Sequence, residues 1–277
     1  MNMNARECYQ CGDLAGAVAA ATDEVKRHPT QTSPRGLLAE LLCFAGELER
    51  ADKQLDAIGH QDPQAMLGIS LLRQLVRAEL SRQEFYLQGR LPEFLGPPPA
   101  HVRLALEASI CVREGKPGEA AAKLGKAEQL RPHLQGTDGD KPFDDFRDVD
   151  DLTSTFLEVF TSTGKYYWIP NERVERIEFH APERPRDLLW RRAHMIVIEG
   201  PDGEVFVPTL YYGSHADKDD RIKLGRMTDW RGGEGEPVRG FGQRLFLVGE
   251  EARSILEIQE ITFMHPEADG VHGENPV

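Results

Sequence analysis

Apolar residues follow two different rhythms along this chain. In the first part they recur every three or four residues, as on one face of an amphipathic helix, and residues 65–80 give the clearest case. The apolar positions of that predicted face are Met66, Ile69, Leu72, Leu75 and Val76. From residues 165–179 onward the apolar positions alternate and are rich in aromatic and β-branched residues, which is typical of strands. The pattern predicts an α+β fold of more than one domain, with the helices first.

A short motif returns at a fixed distance within the helical part. It reads Gly-Asp-Leu-Ala-Gly-Ala from Gly12 and Gly-Glu-Leu-Glu-Arg-Ala from Gly46, a separation of 46 − 12 = 34 residues. A third copy begins at Gly115, 115 − 46 = 69 residues further on, which leaves room for one degenerate unit between them. That unit, residues 64–80, is followed by an insertion that ends in three consecutive prolines.

The repeated positions have a physical meaning in paired helices. An alanine precedes each of the three glycines by seven residues and another follows by five, while a proline follows by seventeen. Small residues let two antiparallel helices approach, glycine makes the turn between them, and proline ends the second helix. The register therefore predicts a tetratricopeptide-like solenoid of three or four helical pairs, although the large aromatic residues usual in such repeats are missing.

Composition divides the chain into four predicted segments. Residues 1–135 are the tetratricopeptide-like helical domain, and residues 152–265 are a mainly β domain. Between them, residues 136–151 hold seven aspartates against one lysine and one arginine, which predicts an acidic connector, either ordered or flexible. Residues 266–277 are polar and are predicted to be a disordered tail.

The start of the second domain is less clear than its middle. Asp150 and Asp151 suit the first turn of a helix, because acidic side chains favour the positive end of the helix dipole, and we expect that helix to run past Phe160 to Gly164. Further along, residues 195–199 and 204–207 predict a hairpin closed by a Gly-Pro-Asp-Gly turn. The remaining predicted strands are residues 224–230, 243–248 and 255–263.

Bulk properties exclude several classes of protein. The chain has 277 residues, 40% of them hydrophobic, and no apolar run approaches the roughly 18 residues of a membrane span, so membrane insertion is not expected. The formal charge of −13 argues against a nucleic-acid partner, because binding to phosphates depends on Lys and Arg. The first residues lack the features of a secretory signal, so we expect a cytoplasmic protein whose four cysteines form no disulfide.

Short motifs that suggest metal or nucleotide chemistry are all incomplete. Cys8 and Cys11 have zinc-ligand spacing, but no second pair completes the four ligands. The acids of residues 217–220 resemble half a calcium loop that lacks its turn glycine and closing glutamate. Residues 240–242 read Gly-Phe-Gly without the third glycine of a dinucleotide site. We therefore expect no metal and no cofactor.

Two other patterns are weak candidates for chemistry. His215 adjoins Ser214 in the sequence, but a serine nucleophile and its base must face each other across a fold, so adjacency does not indicate a catalytic pair. A basic strip surrounds Trp190, where an anion could bind, although a solvated surface is the more common role of such charges. The arginines of this strip are Arg184, Arg186, Arg191 and Arg192.

Aromatic residues next to a charge or a turn residue recur through the β part. Large aromatic side chains anchor protein interfaces when they are exposed, whereas the alternative is that each packs in the core. The candidates for partner binding are Tyr166, Tyr167, Trp168, Trp190, Tyr211, Tyr212 and Trp230. A separate polar cluster is the candidate pocket for a small ligand or substrate, and it consists of Arg226, Asp229, Gln243 and Arg244.

Five phrases, taken in order behind the helical repeats, resemble one known family. They read YYWIPNERVERIEF, RDLLWRRA, VPTLYYGS, LGRMTDW and GFGQRLFL, and each alone is weak. Together they are similar to the TagJ/ImpE (SciE) family of type VI secretion accessory proteins.

The resemblance implies a function as well as a fold. It implies a noncatalytic cytoplasmic adaptor that binds the small subunit of the contractile sheath and is linked with the ClpV AAA+ unfoldase. It implies no catalytic residue. The alternative hypothesis is a small-ligand sensor or enzyme that uses the polar cluster of the β part, and convergence of those four side chains in a cleft would favour it.

Overall fold

The computed structural model describes residues 3–265, and the predicted tail at residues 266–277 lies outside them. The described part is an α+β structure with seven helices in its N-terminal half. These helices are α1 (Ala5–Cys11), α2 (Leu14–Arg27), α3 (Thr32–Phe44), α4 (Leu48–Gln61), α5 (Met66–Gln88), α6 (Ala100–Arg113) and α7 (Pro117–Leu130). The predicted fold class is confirmed.

Three helical pairs fold as their sequence motif predicts. Gly12, Gly46 and Gly115 join α1 to α2, α3 to α4 and α6 to α7, with φ angles of 86°, 73° and 70°. This left-handed conformation favours glycine over residues with a Cβ atom. The alanines seven residues before and five after each glycine are all buried, so they lie where the paired helices approach most closely. The prolines of the motif follow the ends of α2, α4 and α7.

The degenerate unit contains one long helix in place of a pair. Helix α5 has 23 residues, and no second helix follows it before α6. The chain instead runs along the β half, where Glu93 forms a parallel bridge with Tyr167. Leu72, Leu75 and Val76 are buried as predicted, but Met66 at the start of α5 is exposed, because it lies in the first turn, outside the packed part of the helix.

The C-terminal half contains thirteen strands and one short helix, α8 (Asp220–Lys223), within the described residues. The strands are β1 (Gly136–Asp138), β2 (Lys141–Phe143), β3 (Phe146–Asp148), β4 (Phe156–Thr161), β5 (Tyr166–Pro170), β6 (Val174–Phe179), β7 (Trp190–Val197), β8 (Asp202–Pro208), β9 (Thr228–Gly233), β10 (Glu236–Gly242), β11 (Leu245–Val248), β12 (Glu251–Ser254) and β13 (Glu260–Phe263). Eight of them form a sheet in the order β2-β1-β13-β6-β7-β8-β4-β5. Two smaller sheets pair β10 with β9 and place β11 between β12 and β3.

The acidic segment 136–151 is ordered and belongs to these sheets. Strand β1 pairs with β13, and β3 pairs with β11. Several of its aspartates accept hydrogen bonds from backbone amides or arginines, so the segment is packed and not solvated. Asp148 and Asp150, for example, are fully buried. The segment therefore builds part of the β half and does not merely connect two units. Whether the chain divides into separate domains at these boundaries stays a prediction.

The prediction of a helix after Asp150 and Asp151 is wrong, because turns lead directly into strand β4. Five of the six β4 residues are buried, so the strand is covered on both faces and shows no alternation of apolar and polar residues that would have identified it. The predicted hairpin is confirmed: β7 and β8 are antiparallel, and Ile196 pairs with Asp202. The strands predicted at 224–230, 243–248 and 255–263 overlap β9, β11 and β13 and begin too early.

The helical and β halves share an apolar core, and a second apolar core lies within the β half. Helix α5 packs against β4 and β5, where the Phe85 and Trp168 rings meet edge to face with centroids 4.7 Å apart. Phe156 stacks on the other side of Trp168 at 3.7 Å. On α3, Phe44 belongs to the same buried cluster as Trp190 and Leu210 of the β half. Helices α3 and α5 are therefore packed directly against the β half.

Candidate functional site

Four of the seven aromatic candidates lie in the interior. Tyr166, Trp168, Trp190 and Tyr211 are each at most 3% exposed. Trp168 Nε1 donates a hydrogen bond of 2.6 Å to the Tyr166 hydroxyl, and Trp190 Nε1 donates one of 3.1 Å to Glu79 of α5. The Tyr211 hydroxyl donates to Asp148, and its ring packs against Trp230. All four side chains are therefore interior, and the structure offers none of them to a partner.

The other three aromatic candidates are half-buried and lie apart from one another. Tyr212 stacks on Tyr86 of α5 with centroids 4.0 Å apart, and Trp230 packs against Tyr211. Tyr167 projects from the opposite face of β5 and lines a groove described below. Only these three keep surface that a partner could reach.

The four residues of the candidate polar pocket do not converge. Arg226 is exposed and donates to the Tyr9 and Gln10 carbonyl oxygens at the end of α1, at 2.6 and 2.8 Å. Gln243 accepts a hydrogen bond from Ser254 at 2.8 Å, and Asp229 is exposed on β9. Arg244 is fully buried in a different cluster. The small-ligand hypothesis therefore receives no support from this set.

A buried ionic cluster joins the two halves of the molecule, and Glu158 of β4 lies at its centre. Arg82 of α5 forms a two-pronged contact with it, with Nε to Oε1 at 2.9 Å and Nη2 to Oε2 at 2.7 Å. Arg244 Nη2 also donates to Oε2, and the Tyr166 and Tyr86 hydroxyls donate to Oε1 at 2.6 and 3.2 Å. The Glu158 carboxylate thus accepts five hydrogen bonds without contact with solvent.

Electrostatics keep the central carboxylate ionised. Burial alone would raise the pKa of Glu158, but the Arg82 and Arg244 guanidiniums outweigh it and hold that pKa at about 2. Asp148 behaves differently, because burial raises its pKa to about 6 against the opposing effect of Arg244. The Tyr211 hydroxyl donates to Asp148 Oδ1 at 2.8 Å, and Arg244 Nη1 lies 3.3 Å from Oδ2.

Sequence reasoning missed most of this cluster. Arg82 and Glu158 are 76 residues apart, and Arg82 sits in a helix whose exposed face carries several other charges. One signal was available: Glu158 interrupts the apolar run Phe-Leu-Glu-Val-Phe, where an unpaired charge would be costly. The acidic residues Asp148 and Asp150 were assigned to a connector, although each is fully buried and bonded.

The cluster has the features of a structural ion network. The cavity beside it, between α3, α5 and the segment 210–215, has a volume of about 30 Å³, which is room for only one or two water molecules. Arg82 and Glu158 form hydrogen bonds with each other, and Arg82 also donates to the Leu210 carbonyl oxygen. This geometry stabilises the helix–sheet interface and leaves no space for a substrate.

A larger hollow, the apolar groove, lies on the face of the sheet turned away from α5. It has a volume of about 460 Å³ and a mostly apolar lining. Its apolar lining includes Leu95, Val159, Tyr167, Ile169, Met195, Val197 and Val205. Asp202 and Glu204 also border it, but their carboxylates pair with His194 and Arg192. Sequence reasoning identified Tyr167 but not the groove, which forms only when β4, β5, β7 and β8 align in one sheet.

The remaining motifs have structural roles. Cys8 is buried and Cys11 exposed, both are free, and residues 3–265 contain no group of three or more side chains suited to a metal ion. His215 packs against Gly46 at the turn between α3 and α4. In the basic strip, Arg191 is buried and donates to the Ile258 carbonyl oxygen at 2.8 Å, while Arg192 pairs with Glu204. No helix among these residues is long and apolar enough to cross a membrane.

Comparison with known proteins identifies the family. The family model described as ImpE protein matches residues 140–262. The type VI secretion system accessory component TagJ of Pseudomonas aeruginosa is 30% identical over 262 residues, which cover 94% of this chain and 91% of that protein. The chain belongs to the TagJ/ImpE family.

The fold of the chain is also found in a solved structure. The crystal structure of protein VPA1032 from Vibrio parahaemolyticus is similar with a TM-score of 0.89 at 27% identity, and the match covers 95% of this chain and 98% of that chain. All five phrases that suggested the TagJ/ImpE family lie within the matched residues 140–262. The resemblance noted from sequence is confirmed.

Proposed function

We propose that this TagJ/ImpE protein is an accessory component of a type VI secretion system and acts there as a noncatalytic cytoplasmic adaptor. It binds the small subunit of the contractile sheath and is linked with the ClpV-type AAA+ unfoldase. The observation that carries the proposal is the similarity to the TagJ accessory component, which extends over 94% of the chain. A match of that extent includes both the helical and the β half.

The architecture supports a role in protein binding. Stacked helical pairs and an eight-stranded sheet present extended surfaces, and repeat proteins commonly use such surfaces to receive segments of other proteins. Arg82 and Arg244 both bind the Glu158 carboxylate at the centre of the molecule, beside a cavity of only about 30 Å³. The site with the most concentrated charge is thus suited to holding the halves together.

The turns that join the helical pairs at Gly12 and Gly46 are not the surface we assign to the partner. Asp220 accepts a hydrogen bond of 2.8 Å from the Leu14 amide, and Arg226 binds the end of α1. The turn at Gly46 rests on His215. A partner helix would have to displace these contacts to enter, so the sheath subunit is expected to bind on a surface that remains open.

The test uses the full-length chain, because the shared core would be exposed if the halves were expressed separately. Purified small sheath subunit is mixed with the chain and analysed by gel filtration with light scattering, and ClpV is added in a third arm. We expect a stable complex with the subunit and recruitment of ClpV only when the subunit is present. Separate elution of chain and subunit at micromolar concentrations would make us abandon the proposal.

A further inference from the structure

We draw no further inference here: the strongest candidate, the apolar groove on the face of the sheet turned away from α5, is an open apolar surface, and nothing in the structure shows what covers it.

Discussion

Removing the buried carboxylate of Glu158 should destabilise the whole molecule. Glu158→Ala leaves Arg82 and Arg244 in the interior without their shared counter-ion, and it removes the acceptor of the Tyr166 and Tyr86 hydroxyls. Breaking a buried ion pair from one side costs about 3–5 kcal/mol, because the remaining charge has no compensation. That is a large share of the roughly 5–15 kcal/mol by which folded proteins are stable.

The expected loss can be measured by thermal and urea unfolding. A loss of that size should lower the midpoint by roughly 5–15 °C, since about 1 kcal/mol corresponds to a few degrees in a chain of this size. Glu158→Gln should fall between the wild type and the alanine variant, because the amide keeps the shape and one acceptor. Both halves should unfold together in the variant, as they share one core.

The matched control is Glu114→Gln, which removes an exposed carboxylate paired with Lys116 at 2.7 Å. Exposed pairs contribute little to stability, so its midpoint should equal that of the wild type. The reasoning is refuted if Glu158→Ala loses less than about 1 kcal/mol, a value typical of ordinary surface or minor changes. A loss that left one half folded would also contradict it.

Three further predictions follow from individual contacts. Gly46→Ala should lower the unfolding midpoint, because φ is 73° and the new Cβ atom would lie 2.4 Å from His215; an unchanged midpoint would contradict the packing at this turn. Arg226→Ala should speed amide hydrogen exchange in α1 with little change in global stability, because Arg226 binds the end of that helix. Arg221→Ala is the control and should leave exchange in α1 unchanged, since Arg221 binds Asp219, two residues away. Equal exchange rates in the two variants would contradict the role of Arg226. Burial raises the pKa of Asp148 to about 6 from 3.8, so stability from this group is present below about pH 4 and is lost as the pH rises through 6. Asp148→Asn should therefore gain stability relative to the wild type between pH 4 and 7 in urea unfolding, and a constant difference would be the contrary result.

Local rules were sufficient for the helical pairs. Glycine in a left-handed turn, alanine at a close helix contact and proline after a helix end each act within a few residues, so a single sequence reports them. Gly12, Gly46 and Gly115 all adopt the expected conformation. The same rules identified the β7–β8 hairpin from its turn. They do not indicate that the helices pack against the β half in a shared core.

Long-range burial explains what sequence reasoning missed. Strand β4 is buried on both faces, so the alternation that marks a half-exposed strand is absent, and the acids before it suggested a helix start. Trp168 looked like an interface anchor but is fully buried between Phe85 and Phe156. Strand structure begins before residues 165–179, where it was predicted to start, because β1 to β4 precede them.

The candidate surface depends on alignment of distant segments. Leu95 and Met195 lie a hundred positions apart in the sequence and meet in the apolar groove only after the sheet has formed. The insertion was visible as a departure from the repeat, but its role as a wall was not. The family could be identified from ordered phrases because all five lie within the matched residues 140–262.

Calorimetric titration of the purified small sheath subunit into the full-length chain is the most direct test of the adaptor proposal. The account predicts saturable heat with a defined stoichiometry for the wild type. No heat with the wild type, at concentrations where both proteins are folded, would contradict it.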